Sequence, residues 1–227
     1  MMRRYIGPLI LGLGGIAILV SLGLWQVRRL AWKEALLAAI ETKIAAAPVP
    51  LDTLPAPDPK ADIYRSVSLS GRTTGQEILV LSGQAGLGAG YEVIDAFETA
   101  AGRRVLIDRG FVPEAARDQP RPPVALSVTG NLHWPQEVDA YTPPPDAATG
   151  LWFARDVPAM AAALGTEPVL VVLKSAAGDA QGIDPVPVDT GAIRNDHLNY
   201  AITWFSLALV WAGMTLLLLW RIRRRTN

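Results

Sequence analysis

The chain contains no cysteine and only two histidines, and both shortages limit the chemistry it can support. Without cysteine it has no disulfide, no thiol redox chemistry and no thiolate metal site, including the kind that shuttles copper. A catalytic zinc or copper site normally gathers two or three His, Cys or carboxylate ligands, whereas His133 and His197 are far apart in the sequence. A haem is not excluded in the same way, because one axial imidazole is enough to hold it.

Catalytic and nucleotide-binding motifs are also missing. There is no nucleophile elbow, HExxH, Walker motif or paired-carboxylate arrangement, so we expect the protein not to be an enzyme. The glycine-rich segment GQAGLGAGYE, residues 83–92, leads into a strand pattern instead of the helix that phosphate binding requires. It therefore predicts a long hairpin loop. We also expect no nucleic-acid partner.

Two long apolar runs, residues 5–25 and 197–220, are each long enough to cross a bilayer core of roughly 30 Å as a helix. The first is too long for a typical signal-peptide core, and no small-x-small cleavage site follows it. It predicts an uncleaved anchor, transmembrane helix 1. The second predicts transmembrane helix 2, followed by a basic tail at residues 221–227.

The charged residues are divided unevenly along a chain whose net charge is zero. Arg3, Arg4 and four arginines after Trp220 lie outside the apolar runs, whereas the segment between the runs carries 15 basic and 21 acidic residues. Because cytoplasmic ends of membrane proteins are enriched in Lys and Arg, both termini are expected in the cytoplasm. The central domain is then periplasmic, and the expected location is a bacterial inner membrane.

Residues 26–62, which follow the first apolar run, predict a helix and then a linker. Residues 26–47 are rich in helix formers and contain no Gly or Pro, which predicts a helical extension. It is either a partner-binding or membrane-surface helix, or a stalk that carries the span into the domain. Residues 48–62 are rich in proline and predict an extended linker or wrap.

Residues 63–194 show short β-branched or aromatic runs with period two, separated by Gly, Pro and Asp. One helix interrupts them, with Asp156 as its expected N-cap, Pro158 in its first turn and Gly165 at its end. The expected fold class is an α+β membrane protein. Two terminal transmembrane helices flank a mainly antiparallel β domain, a sandwich or small barrel with one or two short helices.

The start of the second apolar run carries the most specific candidate site. If a helix starts near Asp196, a histidine, two tryptophans and two small residues share one face, with Tyr200 and Ala201 beside them. These residues are His197, Trp204, Ala208, Trp211 and Thr215. The face suits haem ligation, but the residues alone favour helix–helix packing with a capped histidine and an aromatic belt. The first run has its own small-residue face at Gly14, Ala17 and Ser21.

A second candidate lies in the β region, where Asp108-Arg109-Gly110 ends an apolar strand. Arg109 is either a docking or propionate-binding arginine, or an arginine paired locally.

Five segments of the chain carry a family resemblance: LGLWQVRRLAWK (22–33), YRSVSLSG (64–71), GYEVIDAF (90–97), VLIDRGFVP (105–113) and RNDHLNYAITWF (194–205). In this order they resemble the surfeit locus protein 1 family, over nearly the whole chain. Asp108 stands where the family more often has Asn, and Asp95-Ala96 where Thr-Pro is common.

The resemblance implies an inner-membrane assembly factor for haem–copper cytochrome c oxidase, which assists haem a delivery to or retention in subunit I. The alternative is a membrane-tethered scaffold that stabilises oxidase subunits without binding haem. The implied partners are subunit I, other oxidase assembly factors and membrane lipid. The implied cofactor is haem a, with His197 as the candidate ligand of its iron. The other candidate haem-binding residues are Tyr200 and Trp204 as pocket walls, Trp25, Gln26 and Arg28 at the same depth on the first span, and Arg109 for propionates or the partner.

Overall fold

The structure is a computed structural model that describes residues 3–84, 86–191 and 193–224. Residue 85 of the glycine-rich segment and residues 225–227 of the basic tail lie outside the described residues. The chain forms two compact units, one of residues 1–39 with 190–227 and one of residues 40–189. The elements are α1 (Arg3–Ala45), β1 (Val49–Pro50), β2 (Ser66–Gln84), β3 (Gly88–Thr99), β4 (Arg104–Pro113), β5 (Ala125–His133), β6 (Leu151–Trp152), α2 (Val157–Leu164), β7 (Leu170–Ala177) and α3 (His197–Arg224), with short 3-10 turns at Leu51–Thr53 and Glu114–Ala116.

The two terminal helices, α1 and α3, are long and apolar enough to cross a membrane. At about 1.5 Å per residue, α1 is about 65 Å long, roughly twice the thickness of a bilayer core of about 30 Å. The helix continues past the apolar run because no Gly or Pro interrupts residues 26–45. It ends at Ala45, shortly before Pro48, which disfavours helical geometry in the residue preceding it.

Five strands close into a barrel in the order β2, β3, β4, β7, β5 and back to β2. Neighbouring strands are antiparallel except for the parallel pair β4 and β7. The parallel pair is joined by a long crossover that contains β5, β6 and α2. The prediction of a mainly antiparallel β domain between two terminal helices is confirmed, and the domain is a small barrel.

Strand β2 is one long bent strand, although the sequence patterns YRSVSLSGR and QEILVLSG predict two. Its pairing register with β3 shifts between Thr73 and Glu77, and Gly75 in that interval has a φ of 79°. Such a bulge bends a strand and increases its twist. Residues 66–72 of β2 therefore pair with β5, and the barrel closes there.

The glycine-rich segment forms the end of the β2–β3 hairpin. Gln84 pairs with Gly88, so the strands extend almost to the turn and the expected long loop is wrong. Gly90 lies within β3, where a β-carbon would collide with the carbonyl oxygen of Val112 and the ring of Phe111. Glycine is needed here for close strand packing.

The barrel core is apolar, and α2 packs into it. The buried face of α2 consists of Val157, Met160, Ala161 and Leu164. The expected caps are present: Asp156 Oδ1 accepts a hydrogen bond from the backbone N–H of Ala159 at 3.1 Å, and Gly165 ends the helix with a φ of 62°.

The proline-rich segment is part of the domain wall. Residues Val49–Pro50 pair with β2, and Leu51 is fully buried in the barrel core. The Arg103 guanidinium donates hydrogen bonds to the carbonyl oxygens of Leu51 at 3.0 Å and Leu54 at 2.9 Å. These contacts make the segment a wrap around the barrel.

Candidate functional site

The candidate site lies on the helix pair, where His197 is the first residue of α3. Its imidazole is half-buried, and Nδ1 lies 2.8 Å from Oε1 of Gln26 on α1. Gln26 is only 8% exposed, on a helix whose neighbouring side chains are mostly apolar. The structure therefore brings together two of the residues that the sequence singles out, from opposite ends of the chain.

This contact determines which ring nitrogen carries the proton. An amide oxygen only accepts hydrogen bonds, so Nδ1 of His197 is the donor. In the neutral imidazole, Nε2 then carries the lone pair. A ring arranged in this way can offer Nε2 to a metal ion, and histidine ligands of metals usually donate their other N–H to an oxygen acceptor.

Close packing of α1 against α3 surrounds this contact. Ala201 and Ala208 of α3 are buried, and the side chains of Phe205, Trp211 and Thr215 lie against glycines of α1. The glycines are Gly23 opposite Phe205, Gly15 opposite Trp211 and Gly12 opposite Thr215. Small residues allow two helix backbones to approach closely in a membrane.

The expected small-residue face of the first helix is wrong. A β-carbon added at Gly14 would meet no atom within 4 Å, and Ala17 and Ser21 are exposed. The contact face is instead rotated to Gly12 and Gly15. The error arises because the apolar run has small residues on several faces, and its composition does not say which face meets the partner helix.

The aromatic candidates lie on the exterior of the helix pair. Trp25 and Tyr200 are each 55% exposed, and Trp204 is half-buried. Tyr200 and Trp204 lie about 4.5 Å and 10.5 Å further along the helix axis than His197. Trp204 is on the same face of α3 as His197, because seven residues make nearly two turns.

Arg28 is exposed on α1, two residues beyond Gln26. It lies near the middle of α1, just past the apolar run, where it is available to an anionic group.

Arg109 lies in the β domain, where it is 2% exposed. Its guanidinium donates to Asp95 Oδ2 at 3.2 Å and Gln181 Oε1 at 2.7 Å, and to the carbonyl oxygens of Asp179 and Ala180. Burial raises the pKa of Asp95 to about 6, although Arg109 acts in the opposite direction. The geometry favours the local pairing of Arg109 over a role in docking.

A partly buried ionic cluster around Arg155 is not predicted by the sequence. Arg155 Nη1 lies 3.0 Å from Asp108 Oδ2 and 3.1 Å from Glu92 Oε2, and Nη2 contacts Glu137. Burial and the nearby Glu92 raise the pKa of Asp108 to about 7. Burial and the positive charge of Arg155 lower the pKa of His133 to about 4. The residues come from separate elements and have no regular spacing, so the sequence contains no pattern that predicts the cluster.

Within the described ranges, no three His, Asp or Glu side chains are grouped so that they could hold a metal ion. The fold and site define a class: a β barrel between two apolar terminal helices, with a candidate ligand site at a single imidazole on the helix pair.

The comparisons with known proteins identify the family. Residues 13–209 match the SURF1 family, and the chain belongs to it. A SURF1-like protein of Monosiga brevicollis is 33% identical over 213 residues, which cover 86% of this chain and 80% of that protein. A SURF1-like protein of Rickettsia bellii is 27% identical over 92% of this chain and 87% of its own. Surfeit locus protein 1 of Xenopus tropicalis is 29% identical over 82% of this chain and 67% of its own.

Proposed function

We propose that this protein is a non-catalytic membrane assembly factor for haem–copper cytochrome c oxidase and that it binds haem a during the maturation of subunit I. The observation that carries the proposal is the hydrogen bond of His197 to Gln26, which in the neutral imidazole leaves the lone pair on Nε2. Membership of the SURF1 family supports the choice of cytochrome c oxidase as the protein whose assembly is assisted. The partners would be subunit I and other oxidase assembly factors.

The residues present fit a haem. The ring needs one strong axial ligand and apolar or aromatic walls, and no second protein ligand is required. His197 Nε2 would hold the haem iron, and the haem would supply a metal centre that an imidazole can bind. Tyr200, Trp204 and Trp25 present aromatic surface on the same helix pair, where a flat apolar ring would be shielded from water.

The periphery of a haem carries propionates, which require a cation or water. Arg28 is exposed on α1 near Gln26 and would pair with a propionate at the membrane boundary. Arg109 is not assigned this task, since its guanidinium is buried and bonded within the β domain.

The proposed topology places both termini in the cytoplasm and the β domain in the periplasm of a bacterial inner membrane. It rests on the arginines at the N-terminal end of α1 and at the C-terminal end of α3. His197 would then lie at the periplasmic boundary of the second span, and membrane lipid would cover the remaining surface of the helix pair.

The proposal is tested on full-length protein purified in detergent from cells that also synthesise haem a. An absorbance spectrum and a pyridine haemochrome assay measure the bound haem. We expect haem a in the unsubstituted protein and its loss in His197→Ala. Two controls should retain it: Asn199→Ala, on an exposed position of the same helical turn, and His133→Phe, which removes the other imidazole.

Retention of a full haem content and of full oxidase assembly by His197→Ala would overturn the haem role. If the unsubstituted protein contains no haem but copurifies with subunit I under mild conditions, the scaffold alternative replaces the carrier. If neither haem nor subunit I copurifies, both forms of the proposal are wrong.

A further inference from the structure

The amide of Gln26 is a buried polar group on an otherwise apolar helix face, and its oxygen accepts a hydrogen bond from His197. We infer that Gln26 is a positioning residue: it holds His197 in the Nδ1-protonated tautomer and so presents Nε2 to an incoming haem iron. This inference rests on the proposed function for its ligand. It reassigns Gln26, which the sequence pattern places among residues that touch the haem.

Chemical complementarity supports this role. Burying an amide in an apolar environment is unfavourable unless it is hydrogen-bonded, so the Gln26 oxygen requires a donor at this position. His197 Nδ1 supplies that donor at 2.8 Å. A neutral imidazole has one N–H, and once Nδ1 carries it, Nε2 has the lone pair that binds metals.

The packing of the helices holds the two groups at this distance. Gly23 lies three residues before Gln26, and its missing side chain makes room for the ring of Phe205. The contact sets the separation of α1 and α3 within one turn of the hydrogen bond. Because both helix backbones are constrained, the imidazole keeps one orientation before any ligand arrives, which lowers the free-energy cost of binding.

The first measurement needs no haem. The chain has two histidines, so a His133→Phe background leaves His197 as the single imidazole. Phenylalanine preserves the ring that packs beside Tyr64, with centroids 5.5 Å apart, and His133 Nδ1 has no hydrogen-bond partner to lose. Long-range proton–nitrogen NMR correlations on the full chain, labelled with nitrogen-15 in histidine and held in detergent at a pH where the ring is neutral, report the tautomer.

We expect the Nδ1-protonated signature in this background and its loss in Gln26→Leu, which removes the acceptor but keeps the helix apolar. Gln26→Glu restores an acceptor oxygen and should restore the signature. Asn199→Leu makes the same kind of amide-to-leucine change at an exposed position of α3 and should leave the signature unchanged.

The second measurement is haem a affinity on the same variants. A metal-ligating histidine that loses the hydrogen-bond acceptor of its other ring nitrogen typically binds the metal about 10- to 100-fold more weakly. Gln26→Leu should therefore bind haem a more weakly by that factor. Gln26→Glu should recover most of the affinity, and Asn199→Leu should match the unsubstituted protein.

The inference is overturned if Gln26→Leu leaves the tautomer unchanged, or if the tautomer shifts without a change in haem affinity. In both cases the proposed function survives. If the unsubstituted protein binds no haem a, the proposed function fails together with the ligand named here. The haem-free tautomer still decides whether Gln26 positions His197.

Discussion

The indole ring of Trp211 on α3 lies against the backbone of Gly15 on α1, where any side chain on residue 15 would overlap with it. The indole nitrogen also donates a hydrogen bond to the carbonyl oxygen of Leu11 at 3.4 Å. This contact shows how the helix pair is assembled: large side chains of α3 occupy the space that glycines leave on α1.

Replacing Gly15 should therefore destabilise the helix pair. In Gly15→Val the new side chain would force the indole away, and overpacking of this kind costs about 1–3 kcal/mol. We expect a lower midpoint of thermal unfolding for the full chain in detergent. The midpoint is measured by heating samples to a series of temperatures and quantifying the folded protein that remains by size-exclusion chromatography. Gly14→Val is the matched control, since Gly14 has no neighbouring atom within 4 Å. Equal midpoints for the two variants would contradict the packing described.

Arg155 is the cation at the centre of three carboxylates in the β domain. Arg155→Met would leave the buried carboxyl group of Asp108 without its counter-charge, and removing one partner of a buried ion pair typically costs about 3–5 kcal/mol. We expect the midpoint of urea unfolding, followed by tryptophan fluorescence, to fall strongly. The surface ion pair of Arg65 with Asp62 is the comparison, and Arg65→Met should cost about 1 kcal/mol or less. A loss no larger than that for Arg65→Met would refute the central role of Arg155.

Asp108 should make the stability of the β domain depend on pH. Its pKa is about 7 in the folded protein and 3.8 as the ordinary value, so the folded state binds the proton more tightly. The free energy of unfolding should therefore fall as pH rises through this window, by up to about 1.4 kcal/mol per pH unit for one proton, and level off above pH 7. The pKa of Asp95, about 6, acts in the same direction.

The contribution of Asp108 is isolated by comparing urea unfolding of the unsubstituted chain and Asp108→Asn between about pH 5 and 8, a range above the ordinary pKa of carboxyl groups. Asparagine still accepts a hydrogen bond from the backbone N–H of Gly110, so this local contact is preserved. We expect a shallower decline with pH in Asp108→Asn. Parallel curves would mean that Asp108 does not titrate in this range.

The proposed topology predicts opposite labelling of two introduced cysteines, which the cysteine-free chain makes easy to interpret. Tyr141 is 92% exposed in the β domain, and Thr226 belongs to the basic tail. A membrane-impermeant maleimide added to intact spheroplasts should label Tyr141→Cys, whereas Thr226→Cys should react only after lysis. The reverse pattern would place the domain in the cytoplasm.

The elements that depend on local chemistry are predictable from the sequence. Apolar length predicts the two terminal helices, and Asp156 and Gly165 define the ends of α2 because caps are local interactions. Barrel closure is not predictable in this way, because residues 66–72 of β2 pair with a strand that follows more than fifty residues later. The bulge near Gly75 also joins two expected strands into one.

In the candidate site too, the local features are predictable from the sequence and the long-range contacts are not. The position of His197 at the start of a helix follows from the apolar run, but its hydrogen bond to Gln26 joins the two ends of the chain and depends on which faces of α1 and α3 meet. The small residues of α1 lie on several faces, so only the three-dimensional packing distinguishes Gly15 from Gly14. The three acids around Arg155 likewise become neighbours only after the barrel forms.

The closed barrel also determines the order in which the strands and α3 can assemble. Strand β7 lies between β4 and β5, so until it arrives both neighbours have unpaired edges. It is the last strand among the described residues, and α3 follows it. The barrel therefore cannot close until nearly the whole of the β domain has been synthesised. Because α3 follows β7 in the chain, barrel closure and the packing of α3 on α1 are the last steps of folding, and His197 joins Gln26 only then.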